Sequence, residues 1–245
     1  MYVLQRGLLY PGSDVPGPPA EYGLSDVEEV RIRTADGLDL LAWWQESAPG
    51  KPVVLYWHGN GGSLAARAQK FEAFGEHGYG LLMMAYRGYS GNPGKPSQPA
   101  MIEDAVRAAE WLGERTDAPV IYYGESLGST VAMQLARRIQ PRAIIMEGGF
   151  DSAAALAQQR YPIFPAALLI KDPWDSLAIA GEINVPVLMV HAVNDKVVPI
   201  SHGERLFQAL SEPKKFIHIA DGNHVDLFDY GADRHVLTWL AAQGL

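Results

Sequence analysis

The 245-residue chain contains no cysteine, which excludes disulfides, thiolate metal sites and a cysteine nucleophile together. It also lacks any apolar run long enough to cross a bilayer, and its amino terminus shows no basic segment leading into an apolar stretch and a small-residue cleavage site. The sequence therefore predicts a soluble cytoplasmic protein. Basic residues are too few and too scattered to form a phosphate-reading stripe: 20 Lys and Arg stand against 28 Asp and Glu, for a net charge of -8. Nucleic acid is excluded as a partner on that ground. No Pro/Ser-rich linker, internal repeat or low-complexity tract divides the chain, so a single domain over 1–245 is expected. Composition sets no oligomeric state.

What is present is an alternation of two rhythms. Val27 to Thr34 alternates apolar and charged side chains, and Asp36-Gly37 then separates it from Leu38 to Trp44. This is the pattern of a β-hairpin. Beyond it come short, continuously apolar runs at Val53–Trp57, Gly80–Tyr86, Val120–Tyr123, Ala143–Met146, Val185–Val190 and Lys215–Ile219. Such runs suit strands buried on both faces. Between them lie stretches with apolar residues at three- and four-residue intervals: 64–77, 99–115, 127–139, 202–210 and 228–242. The pattern predicts an α/β fold, with a mostly parallel central sheet covered by helices on both faces. In such a sheet the functional side chains belong on loops at the carboxyl ends of strands.

Three residues meet that requirement: Ser126, Asp195 and His224. Ser126 lies in Gly124-Glu125-Ser126-Leu127-Gly128, behind one apolar run and ahead of a helical stretch. A strand that turns sharply into a helix holds the serine in strained geometry and needs small residues two positions to either side. A serine hydroxyl needs a base to become a useful nucleophile, and an imidazole titrates near working pH. His224, in the last loop after a strand, is the expected base. Asp195 is the expected carboxylate holding its tautomer, with Asp226 the rival. His58 is assigned a structural hydrogen bond, and the other histidines fall on helices or in and beside strands. The amide of Leu127 at the new helix's start, and that of Asn60 in His58-Gly59-Asn60-Gly61-Gly62, are the expected oxyanion donors, Gly61 being the alternative.

These stretches, with Tyr86-Arg87-Gly88-Tyr89-Ser90-Gly91, Asn194-Asp195-Lys196-Val197-Val198-Pro199 and Gly222-Asn223-His224, resemble the α/β-hydrolase superfamily along nearly the whole chain. The likeness is to small serine hydrolases related to the catalytic domains of the prolyl-oligopeptidase group. It implies a serine hydrolase of carboxylic esters, with amide, peptide or thioester cleavage and an inactive scaffold as alternatives. It requires no metal and no organic cofactor, and it implies a small-molecule ester substrate. Many relatives carry a membrane helix ahead of a segment like 5–11, which leaves room for peripheral membrane association without favouring it. Residues 152–183 would form a short cap, where Phe164 and Trp174 are the expected substrate-binding side chains. Arg87 is expected to tie loops together.

Overall fold

The computed structural model describes residues 5–163 and 165–245. The hairpin forms as the sequence predicts: β1 (Glu28–Arg33) and β2 (Asp39–Gln45) pair antiparallel, and Gly37 in the turn has φ +88°, open to glycine at little cost. The apolar runs become β3 (Val53–Trp57), β4 (Gly80–Met84), β5 (Val120–Glu125), β6 (Ala143–Glu147), β7 (Val187–Ala192) and β8 (Lys214–Ile219). One eight-stranded sheet results, in the order β1-β2-β4-β3-β5-β6-β7-β8. β2 meets β4 antiparallel, and from β4 to β8 every neighbouring pair is parallel.

The helices are α1 (Gln5–Leu9), α2 (Ala68–Gly75), α3 (Gln98–Gly113), α4 (Leu127–Ala136), α5 (Ala153–Arg160), α6 (Ala166–Leu169), α7 (Ile200–Ala209) and α8 (Ala232–Ala242). Side chains of a strand alternate between faces, so β3 feeds two cores at once. Val53, Leu55 and Trp57 join Met101 and Ala105 of α3, Val131 and Leu135 of α4 and Leu206 of α7. Val54 and Tyr56 join Phe71 and Phe74 of α2 and Val236 and Leu240 of α8. Both faces of the central strands are thereby sealed, and only the strand ends are open to solvent.

Two predicted helices are interrupted. The 64–77 stretch opens as a 3-10 turn, Leu64–Arg67, before α2, and the 228–242 stretch opens as a 3-10 turn, Leu227–Tyr230, before α8. At the second break Gly231 takes φ +85°, which stops the turn and redirects the chain. The 152–183 stretch is also less uniform than expected. α5 and α6 flank the opening above the strand ends, whereas the 3-10 turn Leu177–Glu182 sends Ile179 and Ala180 into the core. α1 has no counterpart in the predicted elements.

Arg87 ties loops as expected. Its Nε and Nη2 donate to Asp104 of α3 at 2.7 and 2.6 Å, and Nη1 and Nη2 donate to Asp36 of the hairpin turn at 2.9 and 3.1 Å. Two bidentate forks from one buried guanidinium lock the hairpin edge onto the parallel sheet.

Candidate active site

β5 ends one residue before Ser126, and α4 begins one residue after it. The turn has no slack, so Ser126 is held at φ +51°, ψ -113°, a region a non-glycine residue enters only under constraint. Its amide donates to Glu147 O of the adjacent strand at 2.8 Å. Its carbonyl accepts from the amide of Ser129 at 2.9 Å and from that residue's hydroxyl at 2.6 Å. The flanking glycines are required by contact. A Cβ on Gly124 would lie 2.3 Å from Gly128 O, and one on Gly128 would lie 2.0 Å from Trp57 O. Strand, helix and the neighbouring β3 are packed backbone to backbone around the serine.

Asp195 and His224 come from the loops after β7 and β8, and the structure brings them together: His224 Nδ1 donates to Asp195 Oδ2 at 2.6 Å. The other carboxylate oxygen of Asp195 accepts the amides of Val197 and Val198, each at 2.8 Å. Burial alone would raise the Asp195 carboxyl, but hydrogen bonds from His191 and His224 outweigh it and hold the group well below the usual carboxylate range. Asp226, the rival, accepts instead from the amide of Asn223 at 2.6 Å and so closes its own loop. Asn223 Oδ1 accepts from Lys196 N at 3.2 Å and from His224 N at 2.9 Å, which joins the two loops.

Ser126 and His224 share one support. Glu147 O takes the Ser126 amide, and the next residue, Gly148, has φ +60° and no room for a side chain beside the imidazole: its Cβ would lie 3.0 Å from His224 Cε1. The loop after β3 closes the opposite side, where a Cβ on Gly59 would stand 3.6 Å from Ser126 Cβ. Asn60, Ser126 and Leu127 all line one cavity. Neither the Asn60 nor the Leu127 main-chain amide has an acceptor among the described residues.

That cavity measures about 1110 Å³. It is walled mainly by apolar side chains, among them Leu9 of α1, Phe150, Leu156 of α5 and Val198. Phe164 lies outside the described residues. Trp174 is not on the cavity wall: it is fully buried, and its indole N–H donates to Tyr10 Oη at 2.8 Å. A buried indole needs a partner for its one donor, and Tyr10 supplies it, so Trp174 anchors the segment that follows α6 rather than facing a ligand. Among the described residues no group of three or more His, Asp or Glu is arranged to hold a metal ion, and no helix is long and apolar enough to cross a membrane.

Several site residues were missed by sequence reasoning. His191, on β7, is wholly buried; its Nε2 donates to Val198 O at 2.9 Å and approaches Asp195 Oδ2 at 3.3 Å. Its ring therefore lies against the carboxylate that holds His224. Beneath the serine, Glu125 and Glu147 are register partners on β5 and β6. Glu125 is bonded by Arg67 and by Tyr56 Oη at 2.7 Å, and Glu147 by Lys70 Nζ at 2.5 Å and Tyr123 Oη at 2.6 Å. Burial opposes the charge on Glu125, yet the Arg67 guanidinium keeps its carboxyl low. Burial lowers Lys70 against the pull of Glu147. The only signal for these pairs is a charged residue at the carboxyl end of each apolar run.

Sheet order, crossover helices and a serine at the tight turn after β5 define an α/β-hydrolase fold. Residues 48–173 match the family described as serine aminopeptidase, S33, and the chain belongs to that family. The uncharacterized protein Rv2307c of Mycobacterium tuberculosis is 36% identical over 227 residues, spanning 91% of this chain and 81% of its own. The lysophosphatidylserine lipase ABHD12 of Rattus norvegicus is 31% identical over 212 residues, spanning 78% of this chain and 53% of its own. Among solved structures, the Pyrococcus furiosus esterase Pf2001 superposes with a TM-score of 0.75 at 18% identity, covering 95% of this chain and 98% of that one. The esterase domain of a Rhodothermus marinus protein gives 0.68 at 20% identity, over 88% and 97%. At those identities the likeness carries the fold. The likeness to prolyl-oligopeptidase catalytic domains rests on the motifs alone.

Proposed function

We propose that the protein is a serine esterase that cleaves carboxylic esters of acyl chains through an acyl-enzyme. The observation that carries the reading is the His224–Asp195 hydrogen bond of 2.6 Å, and the strained Ser126 on an apolar cavity supports it. Ser126 Oγ attacks the ester carbonyl carbon while His224 Nε2 takes its proton, and Asp195 stabilises the imidazolium through Nδ1–H. The oxyanion accepts from the amides of Leu127 and Asn60. The tetrahedral intermediate expels the alcohol, which leaves with the proton held by His224. Water then attacks the acyl carbonyl, gives its proton to His224 and releases the carboxylic acid and free Ser126. The whole chain serves as one hydrolase domain, with 152–183 as its cap.

Ester is favoured over aminopeptidase chemistry because of the cavity's charges. A peptide amino terminus needs a free carboxylate, and the one carboxylate lining the cavity, Asp172, is bound by Arg6 at 2.7 and 3.0 Å. The volume exceeds the usual small-molecule range of about 300–1,000 Å³, and its walls suit an alkyl chain. The relative that hydrolyses lysophosphatidylserine supports an acyl ester as the substrate class. Turnover of a graded series of p-nitrophenyl esters, beside aminoacyl anilides, tests the reading. Rising kcat/KM with acyl length and no anilide cleavage is expected. Preferential anilide cleavage would assign the site to peptides.

A further inference from the structure

Of the eleven exposed large apolar side chains among the described residues, six belong to three chain segments that border one opening: Leu8, Val197, and the 161–169 stretch with Tyr161, Ile163, Leu168 and Leu169. Four of these, Leu8, Tyr161, Leu169 and Val197, also line the cavity that holds Ser126, so rim and cavity are one continuous apolar surface. Ile163 and Leu168 are the most exposed of the six, at 91% and 85%. The rim is assembled from separate parts of the chain. Gln5 on α1 donates through Nε2 to Leu169 O at 3.0 Å and accepts from Lys171 N at 2.6 Å, which fixes α1 against the end of α6.

Charge on this rim runs opposite to that of the chain. The protein carries -8 overall, yet the exposed Arg160 and Lys196 both border the cavity, and neither has an acidic partner among the described residues. The bordering carboxylate, Asp172, is buried and already neutralised by Arg6. On an acidic protein, two exposed cations without an acidic partner share one mouth with a group of exposed apolar side chains, a composition that matches an anionic, apolar-cored surface.

We propose that this rim docks on an anionic lipid bilayer, with Ile163 and Leu168 entering the acyl boundary and Arg160 and Lys196 on lipid phosphates. A protein partner covering the same area would close the route to Ser126, whereas a bilayer leaves the route open and is itself a source of acyl chains. Docked this way, a chain passes from the lipid into the cavity without crossing water. The docking rests on surface composition and does not require the ester chemistry, so the two are separable.

The test is sedimentation of the full chain with phosphatidylcholine vesicles made with and without phosphatidylglycerol, alongside turnover of a water-soluble short-chain ester. Binding to the anionic vesicles is expected, with a partition coefficient about fivefold lower for each of Arg160→Gln and Lys196→Gln. Ile163→Ser with Leu168→Ser is expected to lower it more than about tenfold while soluble-ester turnover is unchanged. Equal binding to neutral and anionic vesicles, or none with turnover intact, overturns the docking and leaves the esterase reading standing. Anionic-vesicle binding without ester turnover does the reverse. A concentration-dependent dimer that Ile163→Ser abolishes, with no vesicle binding, would assign the rim to a second copy of the chain.

Discussion

Gly128→Ala probes how closely the Ser126 turn is built. The added Cβ would sit 2.0 Å from Trp57 O and 2.6 Å from Trp57 C. Carbon and oxygen do not approach within about 3 Å without bonding, so β3 and the first turn of α4 must separate by about 1 Å. Both neighbours are main chain, and no side chain can rotate to absorb the shift. The residue after Trp57 opens the Asn60 loop, and the residue before Gly128 is Leu127, so the displacement falls between the two expected oxyanion donors. Misplacement of about 1 Å can cost on the order of a hundredfold in rate, and overpacking costs about 1–3 kcal/mol in stability. For a chain of this size that is a Tm lower by roughly 5 °C. Gly113→Ala serves as the control, because nothing lies within 4 Å of its Cβ and its backbone is helical. It is expected to leave turnover unchanged and stability equal or slightly higher. Thermal melts and ester turnover on both variants decide the matter. If Gly128→Ala keeps wild-type kcat and Tm, the geometric account of the paired glycines is wrong.

Three further outcomes are expected. In the proposed mechanism Asp195→Asn removes the carboxylate charge that offsets an imidazolium at His224, and should lower kcat on the order of 10⁴-fold with KM little changed; retention of more than a tenth of the rate would mean that Asp195 does not serve His224. Lys70→Met leaves Glu147 buried with only the Tyr123 hydroxyl on its carboxylate, and should cost about 3–5 kcal/mol in denaturant unfolding; adding Glu147→Gln should restore part of that loss, and no restoration would contradict the pairing. His58 is fully buried and neutral: its Nδ1 donates to Gly59 O at 2.7 Å, and burial, helped by Arg67, lowers its pKa to about 4. Unfolded, it titrates near about 6.5. The stability it protects is complete above that value and is lost as pH falls towards about 4, a change of roughly 3 kcal/mol that His58→Asn should abolish in unfolding curves across the window.

Much of the frame was legible because local pattern determined it. β3, β5 and β6 are continuous apolar runs, since both faces of a central parallel strand are covered, and their bounds fall within a residue or two of the reading. The glycines around Ser126 were legible for a comparable reason: a tight strand-to-helix turn leaves no space, and the contacts of Gly124 and Gly128 show how little. Hidden were the features made by pairing across long sequence separations. Arg67 and Glu125 are 58 positions apart, and Lys70 and Glu147 are 77 apart; neither cation carries a local sign of being buried. Trp174 looked like a cavity aromatic because composition cannot say which way an indole faces, and its partner Tyr10 lies 164 residues away. α1 escaped because five residues offer too little periodicity, and its place is held by the Arg6–Asp172 pair. His191 read as part of a strand, which it is, and its position behind Asp195 emerges only when β7 and the following loop are seen together.

The central claim is that Ser126 is a nucleophile activated by His224, and fluorophosphonate labelling followed by intact-mass and peptide analysis tests it most directly. One adduct per chain on Ser126 is expected, formed at least about a hundredfold more slowly in His224→Ala. A native chain that stays unlabelled at Ser126, or that labels equally fast without His224, would contradict the account.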